Sequence, residues 1–204
     1  MTQYFELTTL KTVIFGAGKA ASAIEKWISE GNGQLHGAWF SDIGSLNEVY
    51  ILRSFAGIED MMAERDRMHR SANPFGCLDL LLGIEAESYK GLDFMGDVPS
   101  GEMGPVYEIR TYRMKLNGLM PTMEKWEAAL PARNAYSPCI AAMYGLDGSP
   151  RLTQIWPYKS LEERGKARAQ SVTDGNWPPK GGPDWLTPDM TSTIAMPMAF
   201  SPLK

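Results

Sequence analysis

Cysteine and histidine are scarce. Only Cys77 and Cys139 occur, with 61 residues between them, and His36 and His69 are the only histidines. Two isolated thiols make neither a disulfide framework nor a metal cluster, and no His/Cys/Asp/Glu spacing matches a closed zinc site. Buried small hydrophobes in a reducing, cytoplasmic setting are the expectation for both. No apolar run approaches the roughly 18 residues of a membrane span. The first residues, Met1-Thr2-Gln3-Tyr4-Phe5-Glu6, carry neither a basic-then-apolar leader nor an Arg-rich amphipathic one. Basic surplus is absent too: 20 Lys and Arg against 24 Asp and Glu give a net charge of −4, which excludes a generic phosphate-neutralising nucleic-acid binder. Apolar residues make up 44% of the 204, so there is ample material for a core.

What the chain does have is an internal echo. Residues 5–10 (Phe-Glu-Leu-Thr-Thr-Leu) answer to 107–112 (Tyr-Glu-Ile-Arg-Thr-Tyr), and Glu25-Lys26-Trp27 to Glu124-Lys125-Trp126. Ala38, Phe40, Gly44 and Ser45 answer to Ala142, Tyr144, Gly148 and Ser149; Glu59, Arg65 and Asn73 answer to Glu162, Arg168 and Asn176. Matches in the same order along both halves point to duplication. The Gly- and Pro-dense stretch 96–105 separates them, which sets the units at 1–95 and 105–204.

Each half reads β-α-β-β-α-β. In the second, 106–112 is strand-like. A helical stripe runs through Leu119, Met123, Trp126 and Leu130, with Pro121 in its first turn. Residues 140–144 and 152–158 form a hairpin about Asp147-Gly148, 161–172 is a helix charged on its outer face, and 193–199 is a last strand. In the first half, strands are expected at 5–10, 35–40, 49–55 and within 83–89, with helices at 19–28 and 58–70. This is the ferredoxin-like unit. Its sheet has helices on one face only, so two tandem copies can close their bare faces into a pseudo-dimeric α/β barrel of the α+β class.

Residues 13–21 (Val-Ile-Phe-Gly-Ala-Gly-Lys-Ala-Ala) mimic a dinucleotide fingerprint, with Asp42 near the expected ribose spacing. The preceding apolar run is only three residues, and no further β-α alternation follows to build a doubly wound sheet. A glycine-assisted strand-to-helix loop is the reading adopted. No nucleophile elbow is present for Ser-His-Asp catalysis.

The second half, with Val106-Tyr107-Glu108-Ile109-Arg110-Thr111-Tyr112, residues 154–164 (Gln-Ile-Trp-Pro-Tyr-Lys-Ser-Leu-Glu-Glu-Arg) and 197–203 (Pro-Met-Ala-Phe-Ser-Pro-Leu), resembles a NIPSNAP domain. The first half keeps Phe5-Glu6-Leu7, Gly37-Ala38-Trp39 and Leu46-Asn47-Glu48-Val49, but departs at Thr8, Leu10 and Arg53. The resemblance implies the dimeric α/β-barrel superfamily. It implies little about activity, because relatives there range from cofactor-independent monooxygenases and haem-degrading enzymes to isomerases and pure binders.

Side chains alternate along a strand. The more apolar set, Tyr107, Ile109 and Thr111, suits the helix-packed face, which sends Glu108, Arg110 and Tyr112 into the lumen. Trp156 and Tyr158 share one face with Gln154, and Glu6 and Arg53 are the first-half charges expected to meet the others inside. One reading is an ion-pair network that fixes barrel register. The other is a pocket in which Arg110 or Arg53 binds an acidic group, Tyr112 orients it, and a carboxylate of raised pKa acts as base. His36, near the barrel rim, is a candidate general base, or a ligand were a haem present, against a plain structural role; His69 reads as a solvated helix end. Glu108, Arg110, Tyr112 and His36 are thus the catalytic candidates. Arg53, Trp156, Tyr158 and Glu6 are the ligand-binding ones, with no metal and no cofactor. The loop 176–185 reads as a lid, an interface arm or a surface connection. Three functions stay open. The first is a binder of a small apolar or amphipathic acid in the lumen that self-associates as a homo-oligomer. The second is a cofactor-independent monooxygenase or isomerase, and the third a scaffold with a filled lumen.

Overall fold

A computed structural model describes residues 4–204. Twelve main elements follow in order: β1 (Tyr4–Thr12), α1 (Gly16–Ser29), β2 (Gln34–Ile43), β3 (Glu48–Phe55), α2 (Ile58–Arg70), β4 (Leu81–Gly91), β5 (Val106–Met114), α3 (Leu119–Asn134), β6 (Ala141–Gly145), β7 (Arg151–Tyr158), α4 (Leu161–Thr173) and β8 (Leu186–Pro197). Each half is β-α-β-β-α-β, as the periodicity predicts. The strands close into one barrel in the order β1-β3-β2-β8-β5-β7-β6-β4, and every neighbouring pair is antiparallel. Within each half the first strand is central. β1 lies between β3 and β4, and β5 between β7 and β8. The halves meet along two short seams, β2–β8 and β4–β6.

The lumen is packed with side chains. Phe5, Leu7, Trp39, Tyr50, Leu52, Tyr89, Tyr107, Ile109, Met143 and Ile155 form its core. The Trp39 and Tyr107 rings lie 5.3 Å apart, and Gly37 is required because a Cβ there would fall 2.1 Å from the Trp39 indole. An eight-stranded barrel is just wide enough for its interior to be filled in this way. Val98 and Met103 of the segment between β4 and β5, together with Leu203, pack against one end of that core, and Gly101 bridges to Leu203.

Helices cover the outside. α1 buries Ala20, Ile24 and Ile28 at helical spacing, in one cluster with Leu10, Val49 and Ile51 of the sheet. α4 is capped by Ser160, whose hydroxyl accepts from the Glu163 backbone N–H at 3.1 Å. Gly16 and Gly18 open α1 rather than a nucleotide loop. β8 begins seven residues earlier than 193, the start read from the sequence. Its polar run pairs with β5 as far as Met114↔Leu186, and half-exposed strands need no apolar alternation. Loop 176–185 is correspondingly anchored: the Trp177 ring meets Trp126 at 4.9 Å and Trp156 at 6.1 Å.

Candidate functional site

The alternation along β1 and β5 holds, but its faces are the reverse of those expected. Tyr107 and Ile109 line the lumen, while Glu108 and Arg110 lean toward α4 and Glu6 and Arg53 toward α2. The expectation that Glu6, Arg53, Glu108, Arg110 and Tyr112 enter the lumen is therefore corrected. Apart from Arg151, held by Glu87, Asp147 and the Tyr89 hydroxyl, the narrow interior offers no counter-charges among the described residues and no helix reaches it, so it takes the apolar set of β1 and β5. The outer face receives arginines from the helices, so it can hold the acids.

In the first half, the fully buried Glu6 accepts from Arg53 at 2.8 Å and from Arg65 of α2 at 3.1 Å. Arg53 also reaches Glu64 at 3.0 Å, Arg67 reaches Glu64 at 2.9 Å, and Arg65 lies 3.7 Å from Asp147. Asp147, in the turn between β6 and β7, also pairs with Arg151, which lies 2.9 Å from Glu87, so four guanidinium groups face four carboxylates, a balanced network.

The second half differs. Glu108 is completely buried and accepts from Arg110, from Arg164 at 2.6 Å and from the Ser192 hydroxyl at 2.7 Å, all through Oε1. Arg168 stands 3.7 Å from Oε2. Among the described residues Glu108 is the only acid within 4 Å of these three arginines, which leaves two positive charges in surplus. Arg110 donates through Nε to the Tyr112 hydroxyl at 2.6 Å. Gln154, across the ladder from Arg110, accepts from Trp156 Nε1 at 2.8 Å. Its own Nε2, together with Arg164 Nε and Glu108 Oε2, is buried with no hydrogen-bond partner among the described residues. Tyr158 and Trp156 flank the cluster through Arg133, whose guanidinium lies 4.4 Å from the Trp156 ring and 3.4 Å from the Tyr158 hydroxyl.

The electrostatics follow from this packing. Burial alone would raise the Glu108 carboxyl's pKa. The hydrogen bonds from Arg164 and Ser192 and the charges of Arg110 and Arg164 outweigh it and hold it at about 2. Glu108 is thus a permanent anion, and a raised-pKa carboxylate base is not what this site offers. Arg168 is shifted down, by burial first and then by the like charges of Arg110 and Arg164, as expected of cations in excess. A depressed carboxylate stabilises the fold above its unfolded pKa of about 4.3, and that contribution is lost as pH falls toward 2. It is on the order of 3 kcal/mol. Urea unfolding of the wild type should therefore weaken steeply between pH 4.5 and 2.5, and Glu108→Gln should flatten that slope; equal slopes would contradict the assignment.

His36 lies apart from this cluster, on the lumen side. Its Nε2 shares a 2.7 Å hydrogen bond with Ser54 Oγ, and its ring packs 5.7 Å from Phe5. Burial shifts its pKa down, against an upward pull from Asp97, so the imidazole is neutral at pH 7. Phe5 and Asp97 line a cavity of about 590 Å³ at the barrel end, together with Leu92, Val98, Ile140 and Met143.

The structure thus brings Glu108, Arg110, Tyr112, Trp156 and Tyr158 to one place on the outer face, puts Glu6 and Arg53 into a matching but neutral cluster, and leaves His36 elsewhere. Arg164 and Arg168 escape the sequence reading, which places the charges of α4 toward solvent. Its signal was the lack of an apolar stripe: α4 buries only Ala167 and Ser171, so the face it presents to the sheet is polar.

Eight antiparallel strands in this order, clothed by two helices per half, define an α/β barrel of two ferredoxin-like units. The chain belongs to the NIPSNAP family, whose model matches residues 5–73 and 107–202. No curated protein matches it. Among solved structures, a proposed monooxygenase of Lactobacillus acidophilus NCFM is 12% identical, with 97% of this chain and 94% of the other covered and a TM-score of 0.68. An anthrone oxidase-like protein is 11% identical, with 98% and 93% covered and a TM-score of 0.67. A proposed monooxygenase of Fusobacterium nucleatum is 9% identical, with 96% and 92% covered and a TM-score of 0.66. At such identities the likeness is one of fold.

Proposed function

We propose that the protein binds a small organic acid against the outer face of its second half, where α4 covers β5 and β7. The observation that carries this reading is the charge surplus: three arginines converge on one carboxylate, whereas the matching first-half cluster is neutral. An incoming anion would supply the missing negative charge and take the donors that Gln154 Nε2 and Arg164 Nε leave unused. Arg168 is the most exposed of the three guanidiniums, so it meets the ligand first. The packed lumen, by contrast, supports no ligand in the barrel centre. The test uses benzoate and octanoate, with their amides as uncharged controls. The acids should raise the melting temperature and the amides should not. Arg168→Ala should weaken acid binding about 10- to 100-fold, the loss of one charged hydrogen-bonding partner, without unfolding the protein. Equal binding of acids and amides, or no binding of either, would end the proposal.

A second reading, a cofactor-independent monooxygenase or isomerase, is favoured by one feature: the neutral His36 beside the 590 Å³ cavity is a base of suitable protonation state. Two of the fold neighbours are named proposed monooxygenases. Turnover of a candidate substrate that survives His36→Gln would remove this reading. Both cysteines are buried free thiols, which suits a reducing compartment such as the cytoplasm.

A further inference from the structure

Large apolar side chains are exposed at one end of the barrel. Strand direction alternates around the closed ring, so β1 and β5, four places apart, run the same way. The loops that follow them, and the starts of β4 and β8, therefore share one end. The opposite end is plugged by Val98, Met103 and Leu203. At the shared end Ile14, Phe15, Leu46, Leu82, Leu116 and Met120 all stand out into solvent. The first-half members are held side by side: Thr12 N–H bonds to Asn47 O at 2.8 Å, and Val13 N–H to Leu80 O at 2.9 Å.

Phe15 is doubly unusual. It is 83% exposed, and its backbone is left-handed at φ 59°, a conformation that costs a β-carbon residue roughly 1 kcal/mol or more. The equivalent loop before α3 meets the same geometric demand with Asn117 at φ 64°, the residue type suited to it. A strained aromatic pointed outward, where an asparagine would serve the turn better, marks a contact.

We infer that this barrel end is where two copies of the chain meet, end to end about a two-fold axis. The area fits: six such side chains, at their measured exposures and roughly 180 Å² each when free, present on the order of 800 Å². Spread over the barrel end, that is the share each partner contributes to a stable interface. The charges fit as well. Lys11 pairs with Glu85 and Arg113 approaches Asp189 at 3.9 Å, so these charges cancel within each copy. One patch facing itself closes after two subunits.

Light scattering across a gel-filtration peak, at 1–100 μM protein, tests this. The wild type should run as a dimer. Phe15→Asn combined with Leu82→Gln should weaken dimerisation at least tenfold, with an unchanged circular-dichroism spectrum, because Asn relieves the turn instead of breaking it. Phe200→Ala, on the opposite half-buried side, should leave the dimer intact. A monomeric wild type, an assembly larger than two, or a dimer indifferent to the double variant would each overturn the inference.

Discussion

Glu108→Gln should destabilise the fold by about 3–5 kcal/mol, the usual consequence of removing one partner from a buried ionic cluster. For a chain of this size that lowers the melting temperature by roughly 10 °C. Glutamine keeps the shape and one acceptor, so packing is preserved. What is lost is the only negative charge within 4 Å of Arg110, Arg164 and Arg168 among the described residues. The same variant should respond more strongly to benzoate than the wild type does, since the acid would then carry the whole neutralising role. A loss below 1 kcal/mol would mean that the three arginines are solvated well enough to need no counter-charge.

The second large effect is expected in the lumen. Trp39→Ala should cost about 3–5 kcal/mol, the cost of deleting a large core aromatic whose neighbours cannot collapse into the gap. Trp39 is fully buried, packs its ring at a tilt against Tyr107 and sits over the side-chain-free Gly37. Tyr107→Phe provides the contrast. The Tyr107 hydroxyl is buried without a hydrogen-bond partner among the described residues, so removing it should be neutral or mildly stabilising. Urea unfolding of both variants measures the difference. A Trp39→Ala protein as stable as the wild type would mean that the lumen is loosely filled.

Much of this architecture is legible in the sequence. The recurrence of Phe5-Glu6-Leu7 as Tyr107-Glu108-Ile109, and of Glu25-Lys26-Trp27 as Glu124-Lys125-Trp126, announces two like units. Asp147-Gly148 marks the turn between β6 and β7, and Pro121 falls in the first turn of α3. The face of each strand is not legible in the same way. Tyr107, Ile109 and Thr111 are the more apolar set on β5, but hydrophobicity says only that a set is buried, not which of two covered sides buries it. The deciding information sits on another element: Arg164 and Arg168, four apart on α4, show that the helix side is the charged one. Read together with Glu108 and Arg110, those two residues would have located the cluster. The polar strand from Leu186 to Ser192 was hidden for a related reason, since a ladder partner, not an apolar pattern, makes it a strand.

The two seams joining the units are short. β4 and β6 share three paired positions and β2 and β8 four, against eight along β1–β3 and eight along β5–β7. Most of what joins the two units is therefore the shared lumen core, where Phe5, Leu7 and Trp39 cluster with Tyr107, Ile109 and Ile155. The stretch from Leu92 to Pro105 makes the encounter intramolecular, at an effective concentration on the order of millimolar. Covalent fusion thus frees the second unit from any duty to mirror the first, and one arginine cluster can keep its excess charge while its twin is neutralised.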